Sequence, residues 1–215
     1  LPNLDFKIMQ GNSLLEQYKG ADLATMTEKK VGAGQGVTIF DSMLDVYRKN
    51  LRDKLTEYYA CPEHDKKVQL RKDIADIVKK ELSEQGINID FGDIDMSANN
   101  QFFLWHTWFH DVFSRPSKEG FDIVIGNPPY GAKYDNETKR YYKNTYVTAN
   151  SIRGLQKGSL DTYTLFIELG YNLLRRDGSF AYIVPISLTS SDSLTGVHRI
   201  LMGNCDTIHI SSYAV

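Results

Sequence analysis

Asn127-Pro128-Pro129-Tyr130 is the segment of this chain with the clearest capacity for chemistry. Two successive prolines have fixed φ and no N–H, so the turn is stiff and the Pro128 carbonyl is held in one direction without a competing local donor. Asn127 adds a side-chain carbonyl beside it. Two acceptors aimed at one point suit an exocyclic amine with its two N–H bonds, and Tyr130 adds a flat face on which an extruded base can stack. The amine of adenine is a poor nucleophile because its lone pair is delocalised into the ring. Accepting hydrogen bonds from both protons while the nitrogen rehybridises would localise that pair and stabilise the charge of attack. A methyl sulfonium held in line would complete a transfer, with proximity supplying most of the rest and no strong general base required. The competing reading is a strand-ending Pro-Pro turn with a surface tyrosine.

The elements that position this segment follow from local patterns. Phe121-Asp122-Ile123-Val124-Ile125-Gly126, directly before it, reads as a strand opening into the turn. Behind it, Ser159 is placed to cap a helix from Leu160 to Arg176 with Leu165, Phe166, Leu169 and Leu173 on its apolar stripe. Asp177-Gly178 then turns into a buried strand, Ser179 to Val184, closed by Pro185. A helix over 191–202 and a strand over 207–211 follow. Strand and helix alternate, which predicts an α/β sheet with parallel crossovers.

Nearer the N-terminus, Asp5 to Gln10 alternates as a strand, and Leu14 begins a helix capped by Ser13 or Asn12. Val31 to Gly36 is glycine-rich but lacks the Lys-Ser or Lys-Thr of a phosphate loop and reads as a connector. Apolar residues at helical spacing predict one helix over 38–59 (Ile39, Met43, Val46, Tyr47, Leu51, Leu55, Tyr58) and another over 65–85 (Val68, Leu70, Ile74, Ile77, Val78, Leu82). Pro62 separates them and Gly86 stops the second, which makes a helical hairpin whose interleaved charges read as a solvated face. Asn99 to Phe113 is dense in aromatic residues and is expected to be buried against the sheet. His106 and His110 lie four apart, but Thr107 stands where a zinc helix would carry Glu, so no metal site is assigned.

Residues 131–158 read as a long loop. Lys133, Lys139, Arg140, Lys143, Arg153 and Lys157 outnumber Asp135 and Glu137 and are interleaved with Tyr134, Tyr141, Tyr142 and Tyr146. Cations suit phosphates and aromatic rings suit bases, so these six are candidate DNA-binding residues; a solvated, tyrosine-rich surface loop is the alternative. The whole chain of 215 residues has a formal charge of −2, so any attraction to nucleic acid must be local. Cys61 and Cys205, in no metal-like spacing, read as free thiols of a cytoplasmic protein. No segment has the length and apolarity of a membrane span, so no membrane partner is expected.

In order, these pieces resemble the amino methyltransferases. Gly11-Asn12-Ser13-Leu14-Leu15 is similar to motif III, Phe121 to Tyr130 to motif IV, Asp161 to Glu168 to motif V and Gly178 to Pro185 to motif VI. The aromatic approach, Trp108-Phe109-His110-Asp111-Val112-Phe113, followed after a short gap by motif IV resembles the adenine-N6 DNA methyltransferase portion of type IIG restriction-modification enzymes. These fuse an endonuclease, a methyltransferase and a target-recognition region.

The resemblance covers residues 1–20 and about 99–215, with 21–98 as a helical insertion. It implies a partial Rossmann-like sheet and S-adenosylmethionine as methyl donor. The partners it implies are double-stranded DNA and the rest of the parent polypeptide; Mg would serve only a nuclease domain outside this sequence. By the same likeness Asn127 and the Pro128 carbonyl hold the target amine, Pro129 stiffens the turn and Tyr130 stacks on the flipped adenine. Asn12 reads the adenine of the cofactor and Phe166 lines its site; a turn-capping role for Asn12 and a core role for Phe166 explain them equally well. The glycine-rich motif I is expected before Leu1, and a target-recognition region after Val215. The chain is therefore expected to be an inactive piece of a larger enzyme that binds cofactor poorly. The same tetrapeptide also occurs in protein-glutamine and RNA-base methyltransferases, and a non-catalytic DNA-binding module is a third alternative.

Overall fold

The computed structural model describes residues 6–23 and 39–213. The chain divides into a unit Leu1–His110 and a unit Asp111–Val215. Helices α1 (Ile39–Ala60) and α2 (His64–Glu84) pair as the expected hairpin in the first unit. Cys61-Pro62-Glu63 joins them, since proline cannot continue α1. Leu70, Ile74, Val78 and Leu82, spaced by four, form the inner stripe of α2 and meet Leu51 and Tyr58 of α1. Val46 and Val68 are exposed instead of facing inward. Val68 lies two positions from Leu70, about 200° round the helix, on the opposite face.

Gly86 ends α2 at φ +87°: its N–H meets the Ser83 carbonyl and the N–H of Ile87 meets that of Leu82. That is a Schellman closure, with Ile87 and Leu82 both buried in the core. Against the expectation of a wholly solvated charged surface, Glu81 is buried within the hairpin.

The helix expected from Leu14 does not form. The Ser13 carbonyl accepts from the Trp105 indole and the Leu15 carbonyl from the Phe103 N–H, while the Glu16 carboxylate accepts from the Trp105 N–H. With those groups engaged, the chain runs into a short antiparallel hairpin, β1 (Gln17–Tyr18) and β2 (Ala21–Asp22), turned by Lys19 and Gly20, both at positive φ. In place of the continuous strand expected over 5–10, the described residues show single bridge positions at Ile8 and Gln10, the latter parallel to Ala98. Val31 to Gly36 lies outside the described residues.

The aromatic segment packs mainly against helices, with strand contacts from Phe102 to Tyr18 of β1 and from Phe113 to Phe121, the first residue of the strand Phe121–Gly126. Phe102 and Leu104 join the hairpin core and Trp108 packs on it. Phe103 sits with Trp105 and Phe109 around α3 (Trp105–Trp108), and α4 (His110–Phe113) follows.

In the second unit β3 (Phe121–Gly126) pairs in parallel with β4 (Leu174–Tyr182). The crossover carries α5 (Asn136–Thr145), a 3-10 turn over Val147–Ala149, and α6 (Thr162–Leu173). The long loop expected over 131–158 thus contains a ten-residue helix and a 3-10 turn in its middle. The helix expected to reach Arg176 stops at Leu173, and β4 starts early but bulges around Asp177, which has φ +60°. β4 is only partly buried. After it come α7 (Ser187–Ser190), a 3-10 turn over Asp192–Leu194 and α8 (Thr195–Asn204), so the expected helix over 191–202 is found with its first turn in 3-10 form and its end two residues later.

The expected strand over 207–211 is absent, and Ile208 and Ile210 are exposed. The alternation there has no neighbouring strand to pair with among the described residues. The architecture is mixed α/β, with the described strands in two two-stranded sheets and one parallel crossover. No helix among the described residues is long and apolar enough to cross a membrane.

Candidate active site

The site is built at the carboxyl end of β3. At the strand's other end Asp122 accepts from Arg175 and from Arg115, and these guanidiniums, Arg175 first, pull its carboxyl down to about 2. Toward the carboxyl end the register is Val124 to Phe180, Ile125 to Ala181 and Gly126 to Tyr182, and the ladder continues with the Ile183 N–H donating to the Gly126 carbonyl.

Tyr182 is wedged between two glycines. A Cβ at position 126 would lie 2.4 Å from its ring, and one at position 170 of α6 would lie 2.2 Å from its hydroxyl oxygen. Burial pushes the Tyr182 phenol up to about 12. The residue before Asn127 must therefore be glycine for β3, β4 and α6 to close around this ring.

Beyond Gly126 the chain leaves the sheet. Pro128 is buried, while Asn127, Pro129 and Tyr130 are exposed, Tyr130 by 52%. The Tyr130 hydroxyl lies 2.9 Å from the Ile183 carbonyl oxygen and 3.1 Å from Asn127 Oδ1. The ring is tied by its polar end to the extension of β4, with much of its surface open to a ligand. With Asn127, Pro129 and Tyr130 exposed, the turn stands at an open strand end; pockets of about 320 and 270 Å³ lie in the first unit, on α2 with the segment after it and on the two hairpin helices.

All six candidate DNA-binding cations are exposed. Lys139, Arg140 and Lys143 recur at i, i+1 and i+4 on α5 and share its solvent side. Asp135 caps that helix through its contact with the Thr138 N–H, which lowers its carboxyl below the usual range. The opposite side is core: Tyr142 and Tyr146 are buried, and Tyr134, Tyr141 and Tyr146 meet Tyr142 edge to face. Tyr142 and Tyr146 therefore serve packing and are not free for stacking on bases. Tyr134 is also hydrogen-bonded through its hydroxyl to Thr162, and burial raises its phenol.

Sequence reasoning assigned no role to the residue that holds this region. Glu168, on α6 and 3% exposed, accepts from the N–H groups of Val147 and Thr148 at 2.7 and 2.8 Å and from the Thr148 hydroxyl at 2.6 Å. Gln156, also buried, donates to the carbonyls of Val147 and Asn150 and accepts from Arg199 of α8. The available signal was a lone acid among the apolar residues of α6.

Of the two candidate cofactor residues, Asn12 spends one side-chain oxygen lone pair on the Leu14 N–H at 3.3 Å, an Asx turn, and Phe166 is half-buried on α6. They belong to different units. Among the described residues no group of three or more His, Cys, Asp and Glu is placed to hold a metal.

The family described as Eco57I restriction-modification methylase matches residues 24–214. A type II methyltransferase of Thermus thermophilus is 38% identical over 76 residues, 31% of this chain and 16% of that protein. A putative type II restriction enzyme and methyltransferase of Methanocaldococcus jannaschii is 23% identical over 205 residues, 86% of this chain and 15% of that protein. The chain spans about a sixth of the length of these curated relatives.

Proposed function

Because this chain belongs to the Eco57I restriction-modification methylase family, we propose that it carries the amine-holding part of an adenine-N6 DNA methyltransferase. The methyltransferase acts within an enzyme that joins methylation to cleavage. The observation that carries this reading is the place of Asn127-Pro128-Pro129-Tyr130, directly at the carboxyl end of β3 beside its parallel partner. Open α/β sheets bind their ligands outside the carboxyl ends of parallel strands. We read β3 and β4 as part of a Rossmann-like sheet, and residues 21–98 as a helical insertion in the methyltransferase sequence.

In this reading an adenine is drawn out of the duplex and stacks on Tyr130. The two N6 protons are accepted by Asn127 Oδ1 and the Pro128 carbonyl, while Pro129 keeps the turn from relaxing. The nitrogen lone pair forms the new N–C bond as the S–C bond breaks, and one N6 proton is then lost to solvent. S-adenosylmethionine supplies the electrophilic methyl group. Asn12 fits the adenine end of that cofactor because its carboxamide oxygen retains a lone pair beyond the Leu14 contact, and Phe166 offers a half-exposed ring. Lys133, Lys139, Arg140, Lys143, Arg153 and Lys157 contact the phosphates of double-stranded DNA and set position, not sequence.

The test uses the complete enzyme, wild type and Asn127→Ala, with duplex DNA and labelled S-adenosylmethionine, followed by digestion and mass spectrometry of the nucleosides. N6-methyladenine is expected from wild type, with a loss of about a hundredfold or more in the variant. Unmethylated DNA from the wild-type enzyme overturns the reading.

A further inference from the structure

The Tyr130 hydroxyl carries one proton and has two acceptors within reach, the Ile183 carbonyl at 2.9 Å and Asn127 Oδ1 at 3.1 Å. One O–H cannot fill both. With its proton on the nearer acceptor, Ile183, the hydroxyl presents only lone pairs to Asn127, and a carboxamide oxygen facing lone pairs is repelled. Turning the Asn127 amide through 180° leaves its shape unchanged, places Nδ2–H against the hydroxyl oxygen and releases Oδ1. The Tyr130 hydroxyl, the Ile183 carbonyl and Asn127 Nδ2 are then paired with one another, and the backbone acceptor is fixed by the ladder, since the Ile183 N–H is bonded to Gly126.

We propose that the Tyr130 hydroxyl is a positioning group for Asn127. It donates to the Ile183 carbonyl, receives a hydrogen bond from Asn127 Nδ2, and so sets which end of the carboxamide is offered to the target amine. The inference rests on the proposed methyl transfer and adds to it: the ring of Tyr130 serves the flipped base, and the hydroxyl serves the asparagine. An asparagine free to turn presents N–H groups to the amine in part of the population, and those molecules cannot accept its protons.

The discriminating variant is Tyr130→Phe in the complete enzyme. It keeps the stacking face, and at a half-exposed position it removes only the hydroxyl. Methyl transfer is measured on duplex DNA, and base extrusion on the same duplex carrying 2-aminopurine at the target position. The expected result is a fall in kcat of about tenfold, the worth of one neutral hydrogen bond, with KM for DNA and the 2-aminopurine signal unchanged. Tyr130→Ala should by contrast lose the 2-aminopurine signal as well. Wild-type kcat in Tyr130→Phe overturns the positioning role while the functional reading stands. A kcat above wild type also overturns it, because the hydroxyl would then be competing with the amine for Oδ1. A fall in the 2-aminopurine signal parallel to kcat assigns the hydroxyl to base capture and overturns it too. A wild-type enzyme that methylates no DNA adenine removes both conclusions together.

Discussion

Two glutamates, one in each unit, are buried to nearly the same degree, 1% exposed for Glu81 and 3% for Glu168, and their surroundings are opposite. Glu168 receives three donors at 2.6 to 2.8 Å. Among the described residues Glu81 has one oxygen without a hydrogen-bond partner, while the other receives Gln85 Nε2 at 3.4 Å and faces Arg48 Nε at 3.8 Å. Burial pushes the Glu81 carboxyl up to about 7, with Arg48 pulling the other way. A buried carboxylate surrounded by donors acts as a tie between segments; one left half satisfied is a cost the neighbouring apolar core must offset. The contrast separates a residue that organises the candidate DNA-facing region from one that only loads the hairpin.

Glu168→Ala should produce the largest effect. It leaves two buried donors of Thr148 and the part-buried Val147 N–H without acceptors around the 3-10 turn Val147–Ala149, a destabilisation of about 4 kcal/mol. Amide hydrogen exchange at Val147 and Thr148 should speed up by about a thousandfold, and DNA affinity should fall although no cation has been changed. Unchanged protection of those two amides would end the view of Glu168 as a tie.

Glu81→Gln should act in the opposite direction, and only at the higher pH. The folded carboxyl, near 7 against an ordinary value of 4.5, holds more protons than the unfolded one between those values. Its contribution is therefore intact below about 4.5 and is lost as pH rises through 7, a change of about 3 kcal/mol. Urea unfolding followed by tryptophan fluorescence reads this unit, because both tryptophans, Trp105 and Trp108, lie in it. Wild type should lose stability between about pH 5 and pH 8, while Glu81→Gln should stay level. Equal slopes would show that the carboxyl finds solvent or a donor.

The same contrast explains what could be read from the chain alone. The hairpin was legible because its signals are local: apolar residues every fourth position, Pro62 between the helices and Gly86 after them. β3 and the turn after it were legible for the same reason. The segment 131–158 was not, because Glu168 and Arg199 hold it from 20 to 43 residues away, with Gln156 linking Arg199 to Val147 and Asn150. Leu14 was misread as a helix start because the groups that engage Ser13, Leu15 and Glu16 come from Phe103 and Trp105, about ninety residues later. Alternation at 207–211 describes a strand only where another strand is present to pair with it. At the site itself the motif was visible, whereas its support, Tyr182 between Gly126 and Gly170, depends on three elements meeting.

That support gives a smaller effect than either glutamate. Gly126→Ala places a methyl group against the Tyr182 ring, and the ring is held from the other side by Gly170. A cost of about 2 kcal/mol is expected from overpacking, together with a loss of methyl transfer, because Asn127 is the next residue. Tyr182→Phe should not rescue it, since the contact at position 126 is with ring carbons; Tyr182→Leu should recover part of the stability. Additive effects of Gly126→Ala and Tyr182→Leu would mean that the two do not meet.

Asp122→Asn probes an exposed pairing at the far end of the same strand and should matter least. Arg175 and Arg115 hold the carboxyl near 2 against an ordinary 3.8. Its contribution is present above the ordinary value and disappears as pH falls through about 2, the opposite sign to Glu81. Water and salt screen a pair at the surface, so the variant should approach wild type both at that acid limit and at about 0.5 M salt near neutral pH. If instead the difference persists in high salt, Asp122 is setting the register between β3 and the bulged start of β4 and is more than a screened surface charge. Acid titration of wild type and variant at two salt concentrations distinguishes these outcomes.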